Sequence, residues 1–210
     1  MTDFIRGARK FQADIHPRMQ DLFTSLEGGQ SPETLFITCS DSRIDPALIT
    51  QTEPGSLFVI RNAGNIIPTP ETDRGGVSAA IELAIAVLKV KDIVICGHSG
   101  CGAMEALIDE GTLAALPFVR DWVCKAEAAK DINSDEGNGE SSAPRLIQLV
   151  RANVILQMER IWTHPTLAPL KKTGGVRVHG WVYDIGSGVI DVFDEKSGTF
   201  VTFDRKYDKD

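Results

Sequence analysis

The chain has 210 residues, 42% of them hydrophobic and 24% charged, which suits an ordinary soluble globular protein with one large core or two small ones. Its 22 Lys and Arg against 29 Asp and Glu leave a net charge of −7, spread along the chain, so nucleic acid and anionic membrane surfaces are poor candidate partners. No apolar run reaches the ~18 residues of a spanning helix and the segment Met1 to Arg6 lacks a leader pattern, so a cytoplasmic protein is expected.

In the first 30 residues Phe4, Ile5, Phe11, Ile15, Met19, Leu22, Phe23 and Leu26 recur at helical spacing. The spacing predicts two short helices, broken near His16-Pro17, with an apolar stripe that buries either on the chain's own sheet or on a second copy. Leu35 to Thr38 predicts a strand ending in Cys39-Ser40-Asp41-Ser42-Arg43, and Asp45-Pro46 predicts the cap and first turn of a helix. A second strand at Leu57 to Ile60 leads into Arg61-Asn62-Ala63-Gly64-Asn65, then a helix from about Gly75 to Lys89. A third strand at Ile93 to Cys96 ends in Gly97-His98-Ser99-Gly100-Cys101-Gly102. The polar stretch 131–143 predicts a surface loop, and Pro144 to Trp162 a long helix. Val176 to Ile185, Val189 to Asp194 and Phe200 to Phe203 predict strands joined by glycine-containing turns.

Continuous apolar strands alternating with helices predict an α/β fold: a mainly parallel central sheet flanked by helices, with antiparallel C-terminal strands at one edge. The chain reads as a single domain, with a helical arm at 1–30, an α/β core at 34–130 that carries the chemistry, and a helix with edge hairpins at 144–210.

The chemistry concentrates at two predicted strand ends. Cys39 closes the first strand and His98-x-x-Cys101 follows the third, and parallel strands bring such ends to one edge of a sheet. Two thiolates and one imidazole are a natural zinc set that leaves a fourth position open, and a helix beginning at Cys101 favours the thiolate. Cys96 reads as a core cysteine, and Cys124 as a helical one without a partner motif. Asp41 and Arg43, two residues apart, can form a carboxylate–guanidinium clamp. Gly97-x-Ser99-x-Cys101 also approaches a nucleophile elbow, and its glycines a phosphate loop, but neither pattern is complete. A zinc-stabilised binding module, with Asp41 as fourth ligand, stays open beside an open catalytic zinc and a serine hydrolase acting through Ser99.

Cys39-Ser40-Asp41-Ser42-Arg43 and His98-Ser99-Gly100-Cys101-Gly102 together resemble the two signatures of β-class carbonic anhydrases. The resemblance extends through Gly75-Gly76-Val77-Ser78 and His179-Gly180-Trp181-Val182-Tyr183-Asp184, and is closest to cyanate-associated bacterial enzymes and the plant-like branch. It implies reversible hydration of carbon dioxide to bicarbonate and a proton at one Zn2+ per chain held by Cys39, His98 and Cys101, with zinc-bound hydroxide as nucleophile. It further implies that Asp41 hydrogen-bonds the zinc-bound water, that Arg43 holds Asp41, and that Gln30, Phe58 and the Gly102 N–H face the substrate. It implies a dimer or tetramer whose N-terminal helices wrap the partner. Leu83 stands where that branch often has tyrosine, and Phe36 and Thr38 replace residues typical of a bicarbonate-inhibited form, so an open zinc site is expected.

Overall fold

A computed structural model describes residues 2–132 and 145–207. The chain divides into two compact units, Met1–Ser31 and Pro32–Asp210. In the first, α1 (Asp3–Lys10) runs through a wide turn at Phe11–Ile15 into α2 (His16–Arg18), and α3 (Gln20–Leu26) follows. The expected break at His16-Pro17 falls instead at Met19, where φ is −109° and ψ is 17°. Pro17 does not stop the helix because it sits in the first turn after the wide segment, where its missing N–H is not needed.

The second unit is a six-stranded sheet in the order β2-β1-β3-β4-β5-β6. Its strands are β1 (Thr34–Cys39), β2 (Leu57–Asn62), β3 (Asp92–His98), β4 (Arg177–Tyr183), β5 (Ile190–Asp194) and β6 (Thr199–Thr202). The first four are mutually parallel and the last two antiparallel, so the expected α/β class and its antiparallel C-terminal edge are present. The apolar β1 and β3 lie in the middle because parallel strands covered on both faces can be apolar without alternation. Leu35, Ile37 and Cys39 point into the large core; Phe36, Val94 and Cys96 form a smaller cluster on the other face, with Trp181 edge-on to Phe36. Phe203, expected to end the last strand, opens a short helix instead.

The helices of this unit are α4 (Pro46–Thr50), α5 (Gly76–Glu82), α6 (Gly102–Ile108), α7 (Pro117–Val123), α8 (Arg145–Ile161), α9 (Leu170–Thr173) and α10 (Phe203–Tyr207). Asp45 caps α4 by accepting the N–H groups of Ala47 and Leu48 at 3.0 and 3.2 Å, with Pro46 in the first turn. α5 widens at Leu83–Val87 before the chain enters β3. α8 lies against the sheet at Gly97, where a Cβ would stand 2.9 Å from Val154 and 3.0 Å from Val150, so only glycine admits this approach. The loop expected at 131–143 falls mostly outside the described residues.

The sheet decides where the chemistry lies. Thr38 pairs with Cys96 in the β1–β3 ladder, so Cys39 stands beside Gly97, one residue from His98, at the shared carboxyl edge. Open α/β sheets bind ligands at that edge.

Candidate metal centre

Cys39 is the last residue of β1, His98 the last of β3, and Cys101 the residue just before α6. All three are buried, and their two sulfurs and one ring nitrogen lie within 4.8 Å of one another. His98 Nδ1 is 2.9 Å from the Ser99 carbonyl, which can only accept, so the proton belongs on Nδ1 and Nε2 carries the lone pair. That Nε2 is buried without a hydrogen-bond partner. A buried, unpaired base costs free energy unless a cation takes its lone pair. Two sulfurs and an imidazole nitrogen fit zinc, and fit magnesium or calcium poorly.

The two thiols are joined by a hydrogen bond. The hydrogen bond from Cys101 is the main cause that holds the Cys39 thiol far below its ordinary range, aided by the Gly64 N–H, 3.3 Å from the sulfur. The same bond and burial push the Cys101 thiol up. A dication among them stabilises both as thiolates, so this donor set is built for a metal.

The loop after Cys39 adds a carboxylate held on several sides. Asp41 Oδ1 accepts Arg43 Nε–H and the Arg43 backbone N–H, each at 2.9 Å, and Oδ2 accepts Nη2–H at 2.7 Å. These bonds hold the Asp41 carboxyl well below the usual carboxylate range. Oδ2 lies 4.0 Å from His98 Nε2, which places the carboxylate beside the donor set. Arg61, on β2, donates to the carbonyls of Cys39 at 3.1 Å and Asp41 at 2.6 Å and so fixes the loop's path.

The carbonic anhydrase family model matches residues 34–190, which includes every group of this cluster. The chain belongs to the β-class carbonic anhydrases. A carbonic anhydrase of Pseudomonas aeruginosa is 52% identical over 202 residues, covering 96% of this chain and 91% of that protein. The structure of the β-carbonic anhydrase CcaA superposes with a TM-score of 0.86 at 41% identity, over 95% of this chain and 90% of that one. Two tetrameric β-carbonic anhydrases from Sordaria macrospora are represented by a structure with a TM-score of 0.69 at 32% identity, covering 90% of this chain and 92% of that one. The protein is therefore a zinc-dependent carbonic anhydrase that interconverts carbon dioxide and bicarbonate.

Not every residue singled out in the sequence meets at this β-carbonic anhydrase centre. Cys39, Asp41, Arg43, His98 and Cys101 do, and Gly102 opens α6 beside them. Phe58 is half-buried at the far end of β2, paired with Leu35, four register positions from the Asn62 that stands beside Cys39. At ~3.3 Å per residue that is about 13 Å along the strand. Gln30 belongs to the N-terminal unit. Cys96 is buried, its thiol pushed up to about 12 by burial, and Cys124 is exposed.

Among the described residues Ser99 has no histidine base on its hydroxyl. Its hydroxyl accepts the Ile185 N–H at 3.0 Å and hydrogen-bonds Asp184, while His164 is 3.1 Å from the Pro68 carbonyl and His179 is 2.9 Å from Asp92. The serine-hydrolase reading lacks its base. Arg61, Gly64 and Asn153 were missed as contributors to the site. The sequence signals for them are the Arg61-Asn62-Ala63-Gly64-Asn65 segment after the second strand and an amide, Asn153, on the apolar face of a helix.

Proposed function

We propose that Cys39, His98 and Cys101 hold one zinc per chain, and that Asp41 and Arg43 prepare its neighbourhood for carbon dioxide hydration. The observation that carries this reading is the buried, unpartnered Nε2 of His98 beside two thiols. When bound, zinc supplies a Lewis acid that makes water acidic enough to yield a nucleophile at neutral pH. Asp41, kept ionised by Arg43, accepts a hydrogen bond and orients the reacting O–H group. A carboxylate so depressed is a weak base, so it orients and does not take the proton. Arg43 acts through Asp41, and its Nη2 also donates to the Gly100 carbonyl at 3.1 Å, joining the two ligand loops.

Gly102, at the start of α6, offers a backbone N–H toward an anionic product at a helix start. Gln30 and Phe58 are proposed as substrate-pocket residues. Since Phe58 is distant along β2 from its own chain's centre, a pocket role for it requires the site of another subunit. A dimer or tetramer is proposed on the same ground and on the exposed stripe of Phe4, Ile5 and Phe11 in the N-terminal unit. No described helix is long and apolar enough to cross a membrane, and a cytoplasmic location is proposed. Metal analysis and carbon dioxide hydration of Cys39→Ser and Cys101→Ser test the assignment: both lose zinc and activity if it is right.

A further inference from the structure

The turn after β2 makes a backbone hydrogen bond to a ligand sulfur, and three side chains from two distant helices hold that turn and the residues just after it. Gly64 donates its N–H to Cys39 Sγ at 3.3 Å. The carbonyl of the same peptide unit, that of Ala63, accepts Trp122 Nε1–H at 2.8 Å. The next carbonyl, that of Gly64, accepts Asn153 Nδ2–H at 2.9 Å. Asn153 Oδ1 in turn accepts Gln157 Nε2–H at 2.8 Å, and Gln157 Oε1 accepts the Ile67 N–H at 2.8 Å.

The polarity of this chain is forced. Ile67 N–H can only donate, so the Gln157 oxygen faces it; the Gln157 amide nitrogen then meets the Asn153 oxygen, and the Asn153 nitrogen meets the Gly64 carbonyl. Packing alone does not explain the two amides. Asn153 and Gln157 are 1% and 0% exposed on a face of α8 otherwise made of residues such as Val150, Val154 and Ile161. A leucine or methionine fills such space without any need for partners.

We infer that Trp122, Asn153 and Gln157 are positioning residues of the metal centre, fixing the Ala63–Gly64 peptide so that its N–H stays aimed at the Cys39 sulfur. Gly64 has φ of 77°, and a Cβ there would stand 3.0 Å from both Ala103 and Met104, so the turn has one close-fitted geometry. An N–H donor on a thiolate withdraws charge from it, so the sulfur gives less charge to a bound metal and leaves that metal more electrophilic, as other groups around a metal's ligands do. A donor on the adjoining carbonyl polarises the same amide and strengthens its N–H.

The inference rests on Cys39 being a metal ligand, and cobalt(II) in place of zinc separates the two claims. The unmodified protein shows a thiolate-to-cobalt charge-transfer band; its absence would overturn the ligand assignment and this inference with it. Trp122→Phe keeps a ring and removes the donor, and Asn153→Asp keeps the shape and replaces the donor by an acceptor. In each, the band moves to lower energy, because an unbonded thiolate gives up charge more readily, and zinc passes to a competing chelator about 10-fold faster. If Asn153→Asp does not fold, Trp122→Phe decides. Folded variants with an unmoved band and unchanged zinc transfer would overturn the inference, since loss of packing alone does not alter the hydrogen bond at sulfur.

Discussion

Arg43 closes a two-point fork on Asp41, with Nε 2.9 Å from Oδ1 and Nη2 2.7 Å from Oδ2, while half of the guanidinium side chain remains open to solvent. The fork is the better partner for a carboxylate that otherwise stands 4.0 Å from His98 Nε2, within easy reach of the metal donors.

Arg43→Ala is therefore expected to keep zinc and lose most activity, about 10 to 100-fold, because a released Asp41 competes for the coordination position the reaction needs. Arg43→Lys rescues little, since a point charge does not reproduce the fork. Zinc content, stopped-flow hydration and X-ray absorption of the metal shell on one sample check this. Normal hydration rates would contradict the clamp.

Ser99→Ala is expected to leave turnover within a few-fold. Ser99 Oγ accepts the Ile185 N–H at 3.0 Å and so ties the loop after β3 to the loop after β4. Its loss costs about 1 kcal/mol of stability, read by denaturant unfolding. Near-complete loss of turnover with zinc retained would return Ser99 to the chemistry.

Gly97→Ala is expected to destabilise by about 1 to 3 kcal/mol, because the added Cβ meets Val154 at 2.9 Å and Val150 at 3.0 Å and forces α8 off the sheet. Unfolding midpoints give the stability. A parallel loss of zinc affinity is expected, since Gly97 precedes His98 in β3.

At the opposite end of the sheet, Asp92 accepts Arg177 Nε–H at 2.7 Å and Nη2–H at 2.6 Å and lies 2.9 Å from His179 Nε2. Arg177 is the main cause that holds its carboxyl below the ordinary range, with His179 adding to it. A depressed carboxylate contributes stability above its unfolded value of about 3.9, lost as pH falls through the lower folded value. Asp92→Asn should thus cost about 1 kcal/mol at neutral pH, kept small by the exposure of Arg177, and the gap to the unmodified protein should close below about pH 4. Melting curves of both proteins across pH 7 to 3 measure it; a gap independent of pH would contradict the assignment.

The alternation of apolar strands and helices carried the fold, because β1 and β3 are buried on both faces and read as continuous apolar runs. The donor set was equally legible, since Cys39, His98 and Cys101 sit at strand ends that any parallel arrangement brings to one edge. Three features were not. Pro17 looked like a break because proline usually stops a helix, yet the wide turn before it places the ring where no N–H is required. Phe58 lies four register positions from the centre, and the pairing of Phe58 with Leu35 is fixed by sheet register, which a single sequence does not display. Asn153 meets Gly64 across 89 positions of chain, a contact created only when α8 settles on Gly97.

The most direct test is zinc stoichiometry together with carbon dioxide hydration, measured on the unmodified protein, on Cys39→Ser and on Cys101→Ser. One zinc per chain is expected in the unmodified protein, with activity abolished by chelation and restored by zinc, and neither zinc nor activity in the two variants. Full zinc and full hydration activity in either variant would contradict the site.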